Sequence, residues 1–272
     1  MKCFSPVNIR DPVEPESKRY IAVPCNKCVA CLSNRRQMWI IRITQEVKVS
    51  TGCYFVTLTY SDENLRYGEV RPTLYKKDVQ DFIKRFRKNT KLKIRYFAVG
   101  EYGEKTLRPH YHLIMFNLGM DKIEAKKQIE KAWRNMGHSH IGDVTPKSIS
   151  YTAKYMLNNF TSDFSGHQKP FMICSKGIGA SYIEKRLEWH KNDLKRQYVV
   201  LDGGTKQVLP RYYSDKMFTK REKNLIKKMN EDYNRSIETD LERYAEDVRL
   251  EVSRKSAITE REKRKLNSKS KF

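Results

Sequence analysis

The chain has 272 residues, 39% of them hydrophobic, which predicts a globular body of one large domain or a domain with an appendage. Lys and Arg number 55 against 32 Asp and Glu, a formal net charge of +23 that suits a polyanionic partner, nucleic acid first. No apolar run approaches the ~20 residues of a membrane-spanning helix, and residues 1–20 lack a signal-peptide core, so no membrane partner is expected and a reducing cytoplasm is, where the six cysteines read as thiols or metal ligands before disulfides.

Residues 1–31 read as irregular, with four prolines and four of the six cysteines. Residues 34–49 place Trp39, Ile43 and Val47 at helical spacing. Residues 53–60 are β-branched and aromatic, which predicts a buried strand. Residues 73–89 read as a helix capped by Thr73, with Val79, Phe82, Ile83 and Phe86 as its apolar stripe. Residues 94–102 and 110–117 read as two strands joined by a hairpin-like turn. Asp121 with Glu124 resembles a capping box opening a helix that ends near Gly137. A short strand at HIGDVTP precedes a helix that starts at Thr145-Pro146 and runs to about Asn158. Residues 198–209 read as a hairpin turning at Gly203-Gly204, and from Ser214 the chain is highly charged, partly helical and frayed at its end. This interleaving indicates α/β or α+β layering.

His110 and His112 lie one residue apart on a predicted strand, so both imidazoles leave the same face. Two neutral imidazoles can bind a divalent cation. Glu101 ends the preceding strand and is the best third ligand, with Glu104 in reserve. Such a site polarises a phosphate as a Lewis acid. By itself the short motif fits an ordinary solvent-facing strand equally well.

Tyr151 and Tyr155 stand at i and i+4 on one helix face, while Ile149, Ala153, Met156 and Phe160 supply the opposite, apolar face. The core therefore does not need the tyrosines, although in a basic protein they could also stack on bases. The functional reading is nucleophilic attack on DNA phosphorus, giving a 5′-phosphotyrosine and a free 3′-hydroxyl, with Lys154 and the metal easing formation of the phenolate. A second tyrosine on the same face lets cleavage and rejoining alternate.

RPHYH followed by YTAKY resembles the HUH superfamily of rolling-circle replication initiators, relaxases and certain transposases. The likeness is greatest to replication initiators of the Microviridae, the gokushovirus-like members in particular. It rests also on VPCNKCVACLSNRRQMW (23–39), FVTLTYSDENL (55–65), RYFAVGEYGEKTLRPHYHLIMF (95–116), GDVTPKSISYTAKYM (142–156) and PRYY (210–213), and covers roughly residues 20–215. The resemblance implies an α+β fold: a central antiparallel sheet flanked by helices, the RRM-like core of HUH endonucleases. It implies a Mg²⁺- or Mn²⁺-dependent nick at a single-stranded origin in a bacterial host's cytoplasm, with host helicase and polymerase as partners. Carried over by position, His110, His112 and Glu101 are the metal ligands and Tyr151 and Tyr155 the nucleophiles. Tyr111 departs from the plain hydrophobe usual between the histidines, and Asn26 stands where Gly is expected in the cysteine motif; Asn tolerates the left-handed turn.

Cys25, Cys28 and Cys31 give three soft ligands, and Cys3 is the natural fourth for a tetrahedral Zn²⁺. Cys53 and Cys174 read as small hydrophobes. The organisation expected is a Cys-rich zinc element (1–34), an endonuclease domain (35–213) and a basic tail (214–272), with Arg35, Arg36, Arg108 and Lys176 on DNA. SKGIGAS (175–181) lacks the Walker ending and reads as a turn rather than a phosphate loop. His138 and His140 form a second HxH near Asp143 and read as surface or strand residues.

Overall fold

A computed structural model describes residues 3–11, 16, 18–103, 106–154, 164–239 and 241–269. The chain divides into two compact units, Met1–Leu187 with Tyr198–Ser214, and Glu188–Gln197 with Asp215–Phe272.

The first unit is built on five antiparallel strands: β3 (Cys53–Thr59), β4 (Arg95–Tyr102), β5 (Pro109–Phe116), β6 (Ser139–Asp143) and β7 (Phe171–Cys174). Their spatial order is β6-β3-β5-β4-β7, with β5 in the middle. Successive side chains alternate between the two faces, and helices cover both. On one face α2 (Lys76–Thr90) and α3 (Lys122–Trp133) pack Phe82, Phe86, Ile129 and Trp133 against Val56, Leu58, Tyr111 and Leu113. On the other, α1 (Val29–Val47) and α4 (Pro146–Lys154) pack Trp39, Ile43 and Ile149 against Phe97, Val99, Ile114 and Phe116. The architecture is α+β with a central antiparallel sheet flanked by helices, as the resemblance implied.

The predicted stripe of α2 is buried: Val79, Phe82, Ile83 and Phe86 all face the core. Its cap differs from expectation. The N-cap is Tyr75, with no side-chain cap bond. Thr73 instead meets the Tyr102 hydroxyl at 3.1 Å and accepts from the Gln168 N–H at 2.9 Å, tying the helix entry to the sheet. Asp121 does cap α3, accepting from the N–H groups of Ile123 and Glu124, but Glu124 turns to Gln128, so the box is one-sided. That helix ends at Trp133, earlier than Gly137, because Arg134 already takes a left-handed conformation.

The N-terminal segment, read as irregular, contains a two-stranded ribbon, β1 (Val7–Arg10) paired with β2 (Tyr20–Val23). Helix α1 begins at Val29, earlier than predicted. The expected hairpin is β8 (Tyr198–Val200) and β9 (Lys206–Val208), with Gly203 and Gly204 both at positive φ. Helix α5 spans Ser181–Lys191. The charged C-terminal stretch is helical over α6 (Arg211–Met217), α7 (Lys220–Thr239) and α8 (Leu241–Lys269); a frayed terminus lies outside the described residues. Among the described residues no helix is long and apolar enough to cross a membrane.

Candidate active site

Strands β4 and β5 form the hairpin that builds the site. The Gly103 N–H donates to the Arg108 carbonyl at 2.9 Å and closes it. A Cβ at Gly103 would meet the His110 ring at 3.0 Å, so glycine lets the chain pass beside the imidazole. In the ladder Glu101 is opposite His110, and Val99 is opposite His112. Partners in register share a face, so Glu101, His110 and His112 emerge together on the α1/α4 side. Glu101 and His112 are buried, and His112 Nε2 lies 2.8 Å from Glu101 Oε1.

The tautomers follow from the partners. The Arg108 carbonyl can only accept, so His110 donates to it from Nδ1 at 2.8 Å, and Nε2 carries the ring's lone pair. An ionised Glu101 can only accept, so His112 donates from Nε2, and its Nδ1 accepts from the Thr57 hydroxyl at 3.0 Å. A hydroxyl can reverse that bond. If a cation takes the place of the Nε2 proton, Nδ1 becomes the donor and Thr57 the acceptor, the outer-shell partnership typical of metal-bound histidine. The donor set of two imidazoles and one carboxylate, already turned toward one another, fits a divalent cation. Its atoms do not all converge within 4.8 Å as they stand.

Tyr111, between the histidines, points to the opposite face and is fully buried. Its hydroxyl meets Tyr60 at 2.9 Å and accepts from the Tyr75 N–H at 2.8 Å. A tyrosine is tolerated where a hydrophobe is usual because its one polar atom is satisfied.

Helix α4 brings Tyr151 to the histidines. Thr145 and Ser148 cap its start reciprocally, with bonds of 2.8 and 3.1 Å, and Pro146 takes the first turn. Ile149 and Ala153 face the core as predicted, and Thr152 is buried with them. Tyr151 is 43% exposed, and its ring stands edge-on to His112 with centroids 5.2 Å apart. It also meets Phe55, which stacks on His112. Arg36 of α1 donates to the carbonyl and hydroxyl of Ser150, the residue before Tyr151. Lys154 is half-buried at the end of α4. Tyr155 and Glu104 lie outside the described residues.

The cysteine quartet gathers as expected: the sulfurs of Cys3, Cys25, Cys28 and Cys31 lie within 4.8 Å of one another, and the cluster could hold a metal ion. Cys3 Sγ is 3.5 Å from Cys25 Sγ and 3.8 Å from Cys28 Sγ. Four sulfurs about 2.3 Å from a central Zn²⁺ stand about 3.8 Å apart, so these separations match a tetrahedral site. Asn26 takes φ 59°, the left-handed turn its side chain permits. Backbone N–H groups of Lys27 and Cys28 hold the Cys25 thiol below its ordinary range. Burial works to raise Cys28, but N–H groups of Cys31 and Phe4 outweigh it and hold that thiol down at about 6. Burial pushes Cys31 up to about 12.

The remaining predicted residues are dispersed. Arg35 is exposed on α1 and Lys176 is exposed after β7. Arg108 binds Asp62 and the Tyr60 carbonyl, steadying the hairpin turn. The glycine loop is a structural turn: its Gly179 N–H donates to the buried Glu46 carboxylate at 2.7 Å, which Arg95 also engages. Thr57 is the site residue that sequence reasoning missed. Its signal is the alternation in FVTLTY, which puts Phe55, Thr57 and Thr59 on one face.

A basic α+β chain whose sheet presents a His–Glu pair beneath a tyrosine-bearing helix is the class that these observations define. Residues 53–160, from β3 past Tyr151, match the family model of the phage replication-associated protein ORF2. The chain is 34% identical to the replication-associated protein ORF2 of Spiroplasma virus 4 over 227 residues, covering 74% of this chain and 70% of the relative. It is 33% identical to the replication-associated protein VP4 of Bdellovibrio phage phiMH2K, covering 71% and 67%. It is 26% identical to the replication-associated protein ORF4 of Chlamydia phage 1, covering 71% and 53%. The chain belongs to this family of phage replication-associated proteins. No solved structure matches it.

Proposed function

We propose that this protein is an HUH endonuclease that initiates rolling-circle replication by nicking single-stranded origin DNA. The observation that carries the reading is Tyr151, half-exposed and edge-on to His112, whose imidazole Glu101 and Thr57 hold in place. Tyr151 or Tyr155 attacks the scissile phosphorus. The phenol loses its proton, the new bond joins phosphorus to the tyrosine oxygen, and the bond to the 3′-oxygen breaks with that oxygen taking up a proton. A 5′-phosphotyrosine and a 3′-hydroxyl primer result, and the second tyrosine allows the strand to be rejoined. His110, His112 and Glu101 would hold Mg²⁺ or Mn²⁺, which supplies Lewis-acid polarisation of the phosphate. Lys154 lies one helical turn from Tyr151 and its charge favours the phenolate.

Arg36 fixes α4 beneath the DNA rather than reading bases, while Arg35, Arg108, Lys176 and the basic tail supply phosphate affinity. The cysteine quartet would hold a structural Zn²⁺. Unwinding and synthesis fall to a host helicase and polymerase in the bacterial cytoplasm.

The test is incubation with single-stranded origin DNA and Mn²⁺, read as a covalent protein–DNA band. The band should vanish in the Tyr151→Phe/Tyr155→Phe double variant. A band that persists moves the nucleophile elsewhere. DNA binding without any band in the wild type supports instead a non-catalytic zinc-containing nucleic-acid-binding protein. Cleavage confined to transfer-origin or transposon-end DNA makes it a relaxase or a transposase.

A further inference from the structure

The second HxH pair changes meaning once the strands are in register. His140 is opposite Thr57 on β3, and Thr57 is opposite His112 on β5. His138 continues that ladder: its carbonyl accepts from the Thr59 N–H at 2.9 Å, and Thr59 is opposite His110. Gly137 makes this possible, since at φ +155° its backbone passes where a Cβ would lie 2.1 Å from the Thr59 carbonyl. Two rows therefore cross the sheet on the α1/α4 face, His138–Thr59–His110 and His140–Thr57–His112.

Asp143, their nearest acid in sequence, is opposite Tyr54 and leaves the other face, where Lys122 meets it at 3.4 Å. Neither histidine belongs to a group of three metal-donating side chains among the described residues. Without a carboxylate beside them, the pair is suited to an anion rather than a cation.

We propose that His138 and His140 form a phosphate-contacting subsite for the single DNA strand that enters the His110–His112 site. This rests on the reading above that DNA lies on this face. The two histidine columns are separated by two strand spacings, about 10 Å. Between them lie only the short side chains of Thr57 and Thr59, a low floor with imidazoles along both sides. His138 and His140 are exposed, and β6 is an edge strand, so nothing in the sheet stands outside them. An imidazole N–H donates to a phosphate oxygen in either charge state. A backbone held there and at the His110 side is fixed at two points, which orients the scissile phosphate beneath Tyr151.

The test uses the full chain and a short fluorescent single-stranded oligonucleotide of mixed sequence. Binding is read by anisotropy in EDTA, and covalent adduct formation in Mn²⁺ is measured separately. The His138→Ala/His140→Ala variant should bind about 10-fold more weakly, the loss expected for one charge-assisted contact. Its melting temperature and its adduct rate at saturating DNA should match the wild type. The His138→Arg/His140→Arg variant should recover the affinity and steepen the salt dependence by about 1.4 in log–log slope, the value for two added phosphate contacts on a single strand. Unchanged affinity in the alanine variant overturns the subsite, even where the wild type forms adduct normally. A slowed adduct rate at unchanged affinity also overturns it and puts the pair in the chemistry. Loss of one bound Mn²⁺ per chain overturns it in favour of a second metal site. A wild type that forms no adduct, yet binds DNA in a manner the histidines control, sinks the endonuclease reading and leaves the subsite standing.

Discussion

Replacing Thr57 by valine keeps the shape of the side chain and removes one hydroxyl. That hydroxyl meets His112 Nδ1 at 3.0 Å, on a ring that is 5% exposed. Losing a buried hydrogen bond of this kind costs about 1–3 kcal/mol of folding stability. The same oxygen must serve the metal-bound state in the opposite sense, accepting from Nδ1–H while Nε2 faces the ion. Loss of such an outer-shell partner typically weakens metal affinity by about 10–100-fold. The metal-free state loses a bond as well, so only the difference counts, and the low end, about 10-fold or ~1.4 kcal/mol, is expected. Calorimetric titration with Mn²⁺ reads the affinity, and denaturant unfolding reads the stability. Thr57→Ser keeps the hydroxyl and should keep both. A valine variant that binds Mn²⁺ as tightly as the wild type would refute the reasoning; so would a serine variant as weak as the valine.

Tyr111→Phe should destabilise the fold by about 1–3 kcal/mol, because the Tyr60 hydroxyl and Tyr75 N–H lose a buried partner. Mn²⁺ affinity should be unchanged, since that hydroxyl lies on the far side of the sheet; an unfolding curve identical to the wild type would count against the network. In metal-free protein Cys25 and Cys28, whose thiols are held down, should alkylate before Cys53 and Cys174, whose thiols burial raises. Loading with Zn²⁺ should protect the quartet. Mass spectrometry of partially alkylated peptides reads the order, and equal rates at all four would refute it.

The parts of the site that were legible are those governed by a short period. Alternation put His110 and His112 on one face, and a hairpin brought Glu101 alongside. Helical spacing turned Ile149 and Ala153 inward and left Tyr151 half out. What stayed hidden depends on register between segments distant in sequence. Thr57 reaches His112 across 55 residues, and Arg36 reaches Ser150 across 114. Nothing local to either residue announces its partner. Thr73 shows the same limit in reverse: its position suggests a helix cap, but Tyr102 and Gln168 claim the hydroxyl first. The β1–β2 ribbon was missed because its strands are short, lie between prolines and leave much of their apolar surface exposed, so neither burial nor length marks them.

One helix links the two chemistries of the chain. Cys28 is the N-cap of α1, and Cys31 is buried in its first turn. Arg36 follows five residues later and holds Ser150, beside the tyrosine. The same helix then contributes Trp39 and Ile43 to the core beneath α4, and further on Glu46, which binds the Gly179 amide and Arg95. The first turn of a helix has backbone N–H groups with no partner inside the helix. Here the first turn carries sulfur ligands, and the Leu32 N–H already closes onto the Cys28 carbonyl at 3.0 Å. Ordering the quartet therefore fixes where α1 begins. Because α1 is a continuous rod packed on the sheet, its start sets where Arg36 stands, and Arg36 sets the level of α4 over the histidines. The cysteines and the tyrosine are far apart in sequence, but they are separated mechanically by less than two turns of one helix and a single guanidinium.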